Sequence, residues 1–119
     1  MKIGIVGLGF FSDDFVRLFN MHPDVDEVVV ADLDADRVAE SMKKHHIKRG
    51  FSSFEDLLEN APDVDCIGIF TQRHLHGPMV VKAMKMGKHV YSAVPIGCSV
   101  DEIKKIVELS EKRQQIFMM

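Results

Sequence analysis

Apolar residues fall along this chain in two alternating rhythms. Short unbroken runs, such as Ile3-Gly4-Ile5-Val6 and Val28-Val29-Val30-Ala31, are followed by longer stretches with apolar residues three or four apart. The runs read as strands buried on both faces, and the stretches as amphipathic helices. Strands are expected over about residues 2–6, 27–31, 50–51, 65–70, 89–92 and 115–119. A helix is expected over about 10–20, with Phe11, Phe15, Leu18 and Phe19 on one face, and another over about 34–45, with Val38, Ala39 and Met42 inward. A third opens where Ser53 and Asp56 form the acidic version of a capping box, and runs to about Asn60, before Pro62. After a turn at 71–76, a fourth carries Val80, Val81, Ala83 and Met84 and stops at Gly87. The last is capped by Ser99 or Asp101 and buries Ile103, Ile106, Val107 and Leu109. Strands alternating with helices in this way predict an α/β fold: a doubly wound, parallel six-stranded sheet covered on both faces.

The first strand enters Gly7-Leu8-Gly9-Phe10-Phe11-Ser12, a Gly-x-Gly-x-x-small turn that opens a helix. In a dinucleotide-binding βαβ unit each small residue has a mechanical job. Gly7 permits the tight turn, and Gly9 lets the backbone approach a pyrophosphate. Ser12 stands where Gly or Ala is usual; it is small enough to pack helix on strand, and its hydroxyl can cap the helix. Free N–H groups at the helix start favour the anion. Asp32 closes the second run about 20 residues after Ser12, where the fingerprint places an acid on the adenosine ribose hydroxyls. It can also cap the helix that begins near Asp34, a role compatible with the ribose contact, which the spacing favours. Asp13 and Asp14 suit the positive end of the first helix and are expected to face away from a bound pyrophosphate.

The length of 119 residues fits one domain over 1–119, large enough to bury roughly 60–70% of its unfolded surface. With a net charge of −3 and dispersed basic residues, no nucleic-acid footprint is evident. No apolar run approaches the ~20 residues of a membrane span, and with the first strand beginning almost at once no signal peptide is expected. Cys66 and Cys98 form no metal or redox motif, and Cys66 reads as a small buried hydrophobe, so a reducing, cytoplasmic setting is expected. His74 and His76, two apart, share no helix face and have no third ligand nearby, so no metal site is expected. Lys43, Lys44, His45, His46, Lys48 and Arg49 read as charge complementing a helix C-terminus. Tyr91 reads as packing, and Ser92 lies where it could touch a cofactor. The apolar end, Ile116 to Met119, is expected of a chain truncated before a further domain, and such an exposed edge invites a homo-oligomer.

Further motifs narrow the assignment: Ala31-Asp32-Leu33-Asp34 with Arg37, Phe51 leading into Phe54-Glu55-Asp56-Leu57-Leu58, Asp63-Val64-Asp65-Cys66-Ile67, Thr71 with His76 five positions on, and Met86-Gly87-Lys88-His89-Val90. With the glycine turn, they resemble the N-terminal Rossmann domain of the glucose–fructose oxidoreductase / inositol dehydrogenase (Gfo/Idh/MocA) family over essentially the whole chain. The resemblance implies a two-domain NAD(P)-dependent oxidoreductase acting on sugars, polyols or their derivatives, with most of the substrate site in a second α/β domain. It implies that Gly7, Gly9, Phe10 and Phe11 surround the pyrophosphate, that Asp32 holds the ribose, and that Thr71 and His76 lie on the nicotinamide side. Asp32 followed by Leu33, with no basic residue beside it, favours NAD over NADP.

Three positions depart from the family pattern. Ala93-Val94-Pro95 stands where Glu-Lys-Pro is usual, Arg73 where Asn is usual, and Gln72 where Pro is usual. Val94 cannot transfer a proton, so no catalytic residue is assigned and these 119 residues alone are expected to be catalytically silent. The acid–base group would come from another domain, or the reaction would differ. A dinucleotide-sensing or interaction module without chemistry is the alternative. S-adenosylmethionine binding fits less well, given the sixth strand and the motifs at Thr71 and Lys88-His89-Val90.

Overall fold

The computed structural model describes the backbone of residues 1–119 and every side chain except that of Arg113. Six strands form one sheet: β1 (Lys2–Val6), β2 (Glu27–Ala31), β3 (Gly50–Phe51), β4 (Cys66–Ile69), β5 (His89–Ser92) and β6 (Phe117–Met118). Five helices connect them: α1 (Phe10–Met21), α2 (Ala35–His45), α3 (Phe54–Asn60), α4 (Arg73–Lys85) and α5 (Val100–Arg113). All pairings are parallel, in the order β3-β2-β1-β4-β5-β6. The order therefore reverses between β1 and β4, and the crevice at their C-terminal ends is where such sheets take ligands.

Period-two alternation splits the strands between two core layers. Ile3, Ile5, Val28 and Val30 pack with Val16 of α1 and Ile47 on one face. Val6, Val29, Ala31, Ile67, Ile69 and Val90 pack on the other with Leu57 of α3, Val80 and Met84 of α4, and Ile106 of α5. Five rings, Phe11, Phe15, Phe19, Phe70 and Tyr91, run along the α1 side with centroids 4.7–6.5 Å apart, so Tyr91 serves packing. Cys66 packs on the same side, where burial pushes its thiol up to about 11.

Several local expectations shift. In α1 the deepest residues are Ser12 and Val16, one turn apart, while Leu18 is exposed. In α2 Ala39 is exposed, and Ser41 and His45 are buried beside Val38 and Met42. In α5 Val107 faces outward, and Ser99 is the cap, accepting from the Glu102 N–H. α4 starts at Arg73, so most of the expected 71–76 turn is its first turn. β4 is shorter than 65–70 at both ends, and β6 occupies only two residues of 115–119. Ser53 caps α3 as expected, but Asp56 turns its carboxylate to the N–H and hydroxyl of Ser52, both at 2.8 Å, rather than to Ser53. Among the described residues, no helix is long and apolar enough to cross a membrane.

The basic stretch after α2 does more than complement a helix end. Arg49 forks onto Glu27 at 2.8 and 2.9 Å and onto Asp63 at 3.0 and 3.1 Å, while Lys2 reaches Asp63 at 2.7 Å. The Arg49 guanidinium, then the Lys2 ammonium, hold the Asp63 carboxyl well below the usual carboxylate range. A group with a lower pKa folded than unfolded stabilises the fold above its unfolded value, about 4, and that stability is lost as pH falls toward the folded value. The urea midpoint is therefore expected to fall from about pH 4 downward. Asp63→Asn should lower the midpoint at pH 6 and flatten its acid slope between pH 2 and 6; an unchanged slope would detach the network from acid stability.

Candidate functional site

The crevice is built around the turn that leaves β1. Gly7 has φ 90°, and a Cβ there would lie 2.7 Å from the carbonyl carbon and oxygen of Phe70. Both the handedness and the closeness of the backbone just past β4 demand glycine. The Gly7 N–H donates to Ala31 O at 3.0 Å, tying the turn to the end of β2. Gly9 is the N-cap of α1, and a Cβ there would meet nothing within 4 Å. The space over Gly9, in front of the first free N–H groups of α1, is open. Ser12 lies inside the helix and is not its cap: its hydroxyl donates back to Gly9 O at 2.9 Å and its side chain is buried. Its small size matters, and its capping capacity does not.

Asp32 stands half-buried at the rim. Its Oδ2 accepts the Leu8 N–H of the glycine turn at 2.6 Å, and its Oδ1 accepts the Asp34 N–H at 2.9 Å. The helix cap is Asp34, whose side chain accepts from the N–H groups of Asp36 and Arg37. Asp32 is thus freed from capping. Each of its oxygens keeps acceptor capacity for a hydroxyl arriving from the crevice. Sequence spacing located the acid but not its bond to Leu8, which joins residues 24 apart in the chain.

The remaining expected residues divide. Phe10 is fully solvent-facing, 101% exposed, and Phe11 is exposed with its ring 5.2 Å from that of Phe15. Both stand at the start of α1, beside the open space over Gly9. Thr71 is half-buried just past β4. His76 is 1% exposed; its Nδ1 lies 2.9 Å from Pro95 O and its Nε2 2.9 Å from Thr71 O. Whichever nitrogen carries the proton has an acceptor. His76 therefore joins the β4–α4 turn to the loop after β5, and its ring does not open to the crevice. His74 is exposed, so the two histidines diverge.

Around this edge, Val94 is 71% exposed and purely hydrocarbon. Ser92 is buried, with its hydroxyl donating to Ala93 O at 3.0 Å. Asp13 is drawn to α2, where Lys44 Nζ lies 2.8 Å and His45 Nε2 2.7 Å away. These partners, Lys44 foremost, hold its carboxyl below the usual range. Asp13 lines a cavity of about 210 Å³ between α1 and α2, bordered also by Gly9, Phe10, Arg37 and Ser41.

The whole chain, residues 1–119, matches the family model described as the Gfo/Idh/MocA oxidoreductase family, NAD-binding Rossmann fold. The chain belongs to this family. Trans-1,2-dihydrobenzene-1,2-diol dehydrogenase of Bos taurus is 33% identical over 120 residues, which cover 99% of this chain and 36% of that protein. The chain thus spans about a third of the length of that relative. Among solved structures, scyllo-inositol dehydrogenase from Lactobacillus casei, with bound NAD(H) and scyllo-inositol, superposes with TM-score 0.89 at 23% identity, covering 99% of this chain and 35% of that one. Biliverdin reductase from Synechocystis sp. PCC 6803, in complex with biliverdin and NADP+, gives TM-score 0.89 at 24% identity, covering 98% and 36%. These two structures carry different nicotinamide cofactors on one fold, so the fold alone does not choose between them.

Proposed function

We propose that residues 1–119 form one dinucleotide-binding domain that holds NAD, in preference to NADP, for hydride transfer to or from a sugar- or polyol-like substrate. The observation that carries this reading is the Asp32 carboxylate, fixed by the Leu8 N–H at 2.6 Å beside the open space over Gly9. Ribose hydroxyls can donate to it, whereas a 2′-phosphate would meet it as a like charge. Leu33 is exposed and uncharged, and Arg37, in the first turn of α2, has its Nε 3.5 Å from Asp34 Oδ2. Gly7 shapes the turn, Gly9 gives the pyrophosphate room, Phe10 and Phe11 flank it, and Thr71 lies toward the nicotinamide, with His76 fixing the Thr71 turn from behind. When bound, the nicotinamide would supply the hydride acceptor or donor; this chain's part is to orient the dinucleotide and exclude the phosphorylated form. Val94 exchanges no proton, so the acid–base group and most substrate contacts come from outside position 94. A reducing, cytoplasmic setting suits the two free thiols, and the exposed β6 edge suits a homo-oligomer.

Calorimetric titration with NAD, NADH, NADP and S-adenosylmethionine tests the reading. Asp32→Ala is expected to weaken NAD about 10–100-fold, the scale of charge-assisted hydrogen bonds to a carboxylate, and to narrow the gap between NAD and NADP. Saturable S-adenosylmethionine binding, or NAD binding indifferent to Asp32, would overturn it.

A further inference from the structure

A second opening, of about 540 Å³, lies at the C-terminal end of β4 and is lined by Thr71, Gln72, Arg73, His74 and Cys98. Its charge is one-sided. No carboxylate lines it, and both Arg73 and His74 are exposed. Among the described residues, neither side chain has a hydrogen-bond or ion-pair partner. The acid on the adjoining helix, Glu102, turns its Oε2 to the Cys98 N–H at 2.8 Å. Cys98 Sγ in turn donates to Arg73 O at 3.4 Å. The backbone of Arg73 is thus braced while its guanidinium stays free. Arg49, Lys2, Lys44 and Lys82 by contrast all meet carboxylates, although Arg73 is not alone among the described cations in lacking a partner. An unpaired guanidinium presents a planar fork suited to carboxylate or phosphate.

We propose that this opening receives an anionic group, carboxylate or phosphate, carried by the sugar-like substrate, with Arg73 as its principal contact and His74 as a second donor. The inference rests on the cofactor reading above, because Thr71 borders this opening and is also assigned to the nicotinamide side. The pyrophosphate of the dinucleotide is already accounted for at the Gly9 turn, which leaves Arg73 for a different anion.

The test uses the isotope-labelled chain saturated with NADH, following the Arg73 Nε–H and His74 ring signals by NMR. D-gluconate, glucose 6-phosphate and D-sorbitol are titrated separately; sorbitol replaces the carboxylate of gluconate by a hydroxymethyl group. At least one acidic sugar is expected to bind about tenfold or more tightly than sorbitol. That preference should vanish in Arg73→Asn and survive in part in Arg73→Lys, with sheet amides unmoved in both. Equal binding of sorbitol, no binding of any sugar, or an unaffected Arg73→Asn variant overturns the proposal. So does inorganic phosphate moving the same signals with equal affinity, which would mean an adventitious ion only. NADH binding and its dependence on Asp32 are read on the same samples. If NADH fails to bind, the cofactor reading falls as well; if it binds and the acidic sugars do not, only this inference falls.

Discussion

Gly7→Ala is expected to destabilise the chain by about 2–5 kcal/mol, the combined scale of a non-glycine residue held at positive φ and an overpacked contact. Two independent demands meet at this residue. Its φ of 90° is one that L side chains rarely adopt, and a Cβ would press against Phe70 C and O at 2.7 Å and Thr71 N at 2.9 Å. Relief is unavailable because the partner is backbone directly following central strand β4, itself bonded to β1 through Phe70 N–H to Val6 O at 2.8 Å. Gly9→Ala is the matched control. Its Cβ enters open space at ordinary negative φ, so stability should change by less than about 1 kcal/mol while dinucleotide affinity falls. Urea unfolding of both variants, with NAD titration of each, separates the two roles. Equal stability losses at the two glycines would refute the assignment.

The second large effect is expected at His76. Truncation to alanine removes a buried ring and leaves the carbonyl that accepts the ring N–H, of Thr71 or of Pro95, without its donor, a loss of about 2–4 kcal/mol. The damage should be local in character. Amide exchange is expected to accelerate in residues 93–97 and at the start of α4, with the β1–β2 ladder protected as before. Because His76 reaches the crevice only through Thr71, NAD affinity should fall less than in Asp32→Ala. A His76→Ala chain with native stability but abolished NAD binding would instead place the imidazole against the cofactor.

Much of this architecture is local and therefore readable along the chain. The runs at Ile3–Val6 and Val28–Ala31, the glycine turn, and the spacing to Asp32 each reflect how a few neighbouring residues satisfy backbone geometry and burial. They predict the alternating strands and helices and the doubly wound sheet, and the structure has both. Periodicity was less reliable for helix faces: Leu18, Ala39 and Val107 satisfy a helical repeat yet face solvent. A repeat reports that a face exists, whereas the opposing element decides how wide the covered stripe is.

What only the tertiary structure decided are the polar partnerships across long chain separations. Asp13 meets His45 across 32 residues, Arg49 meets Glu27 across 22, and His76 meets Pro95 across 19. The opening that joins Arg73 and His74 to Cys98 arises the same way. A side chain's charge and hydrogen-bonding capacity are written in its identity, but whether they are spent on the protein or left for a ligand depends on what the fold brings within about 3 Å. By itself, the sequence determined the sheet, the turn and the acid at its rim. The fold determined that His76 is held inside by two carbonyls while Arg73 stands unpaired at the edge.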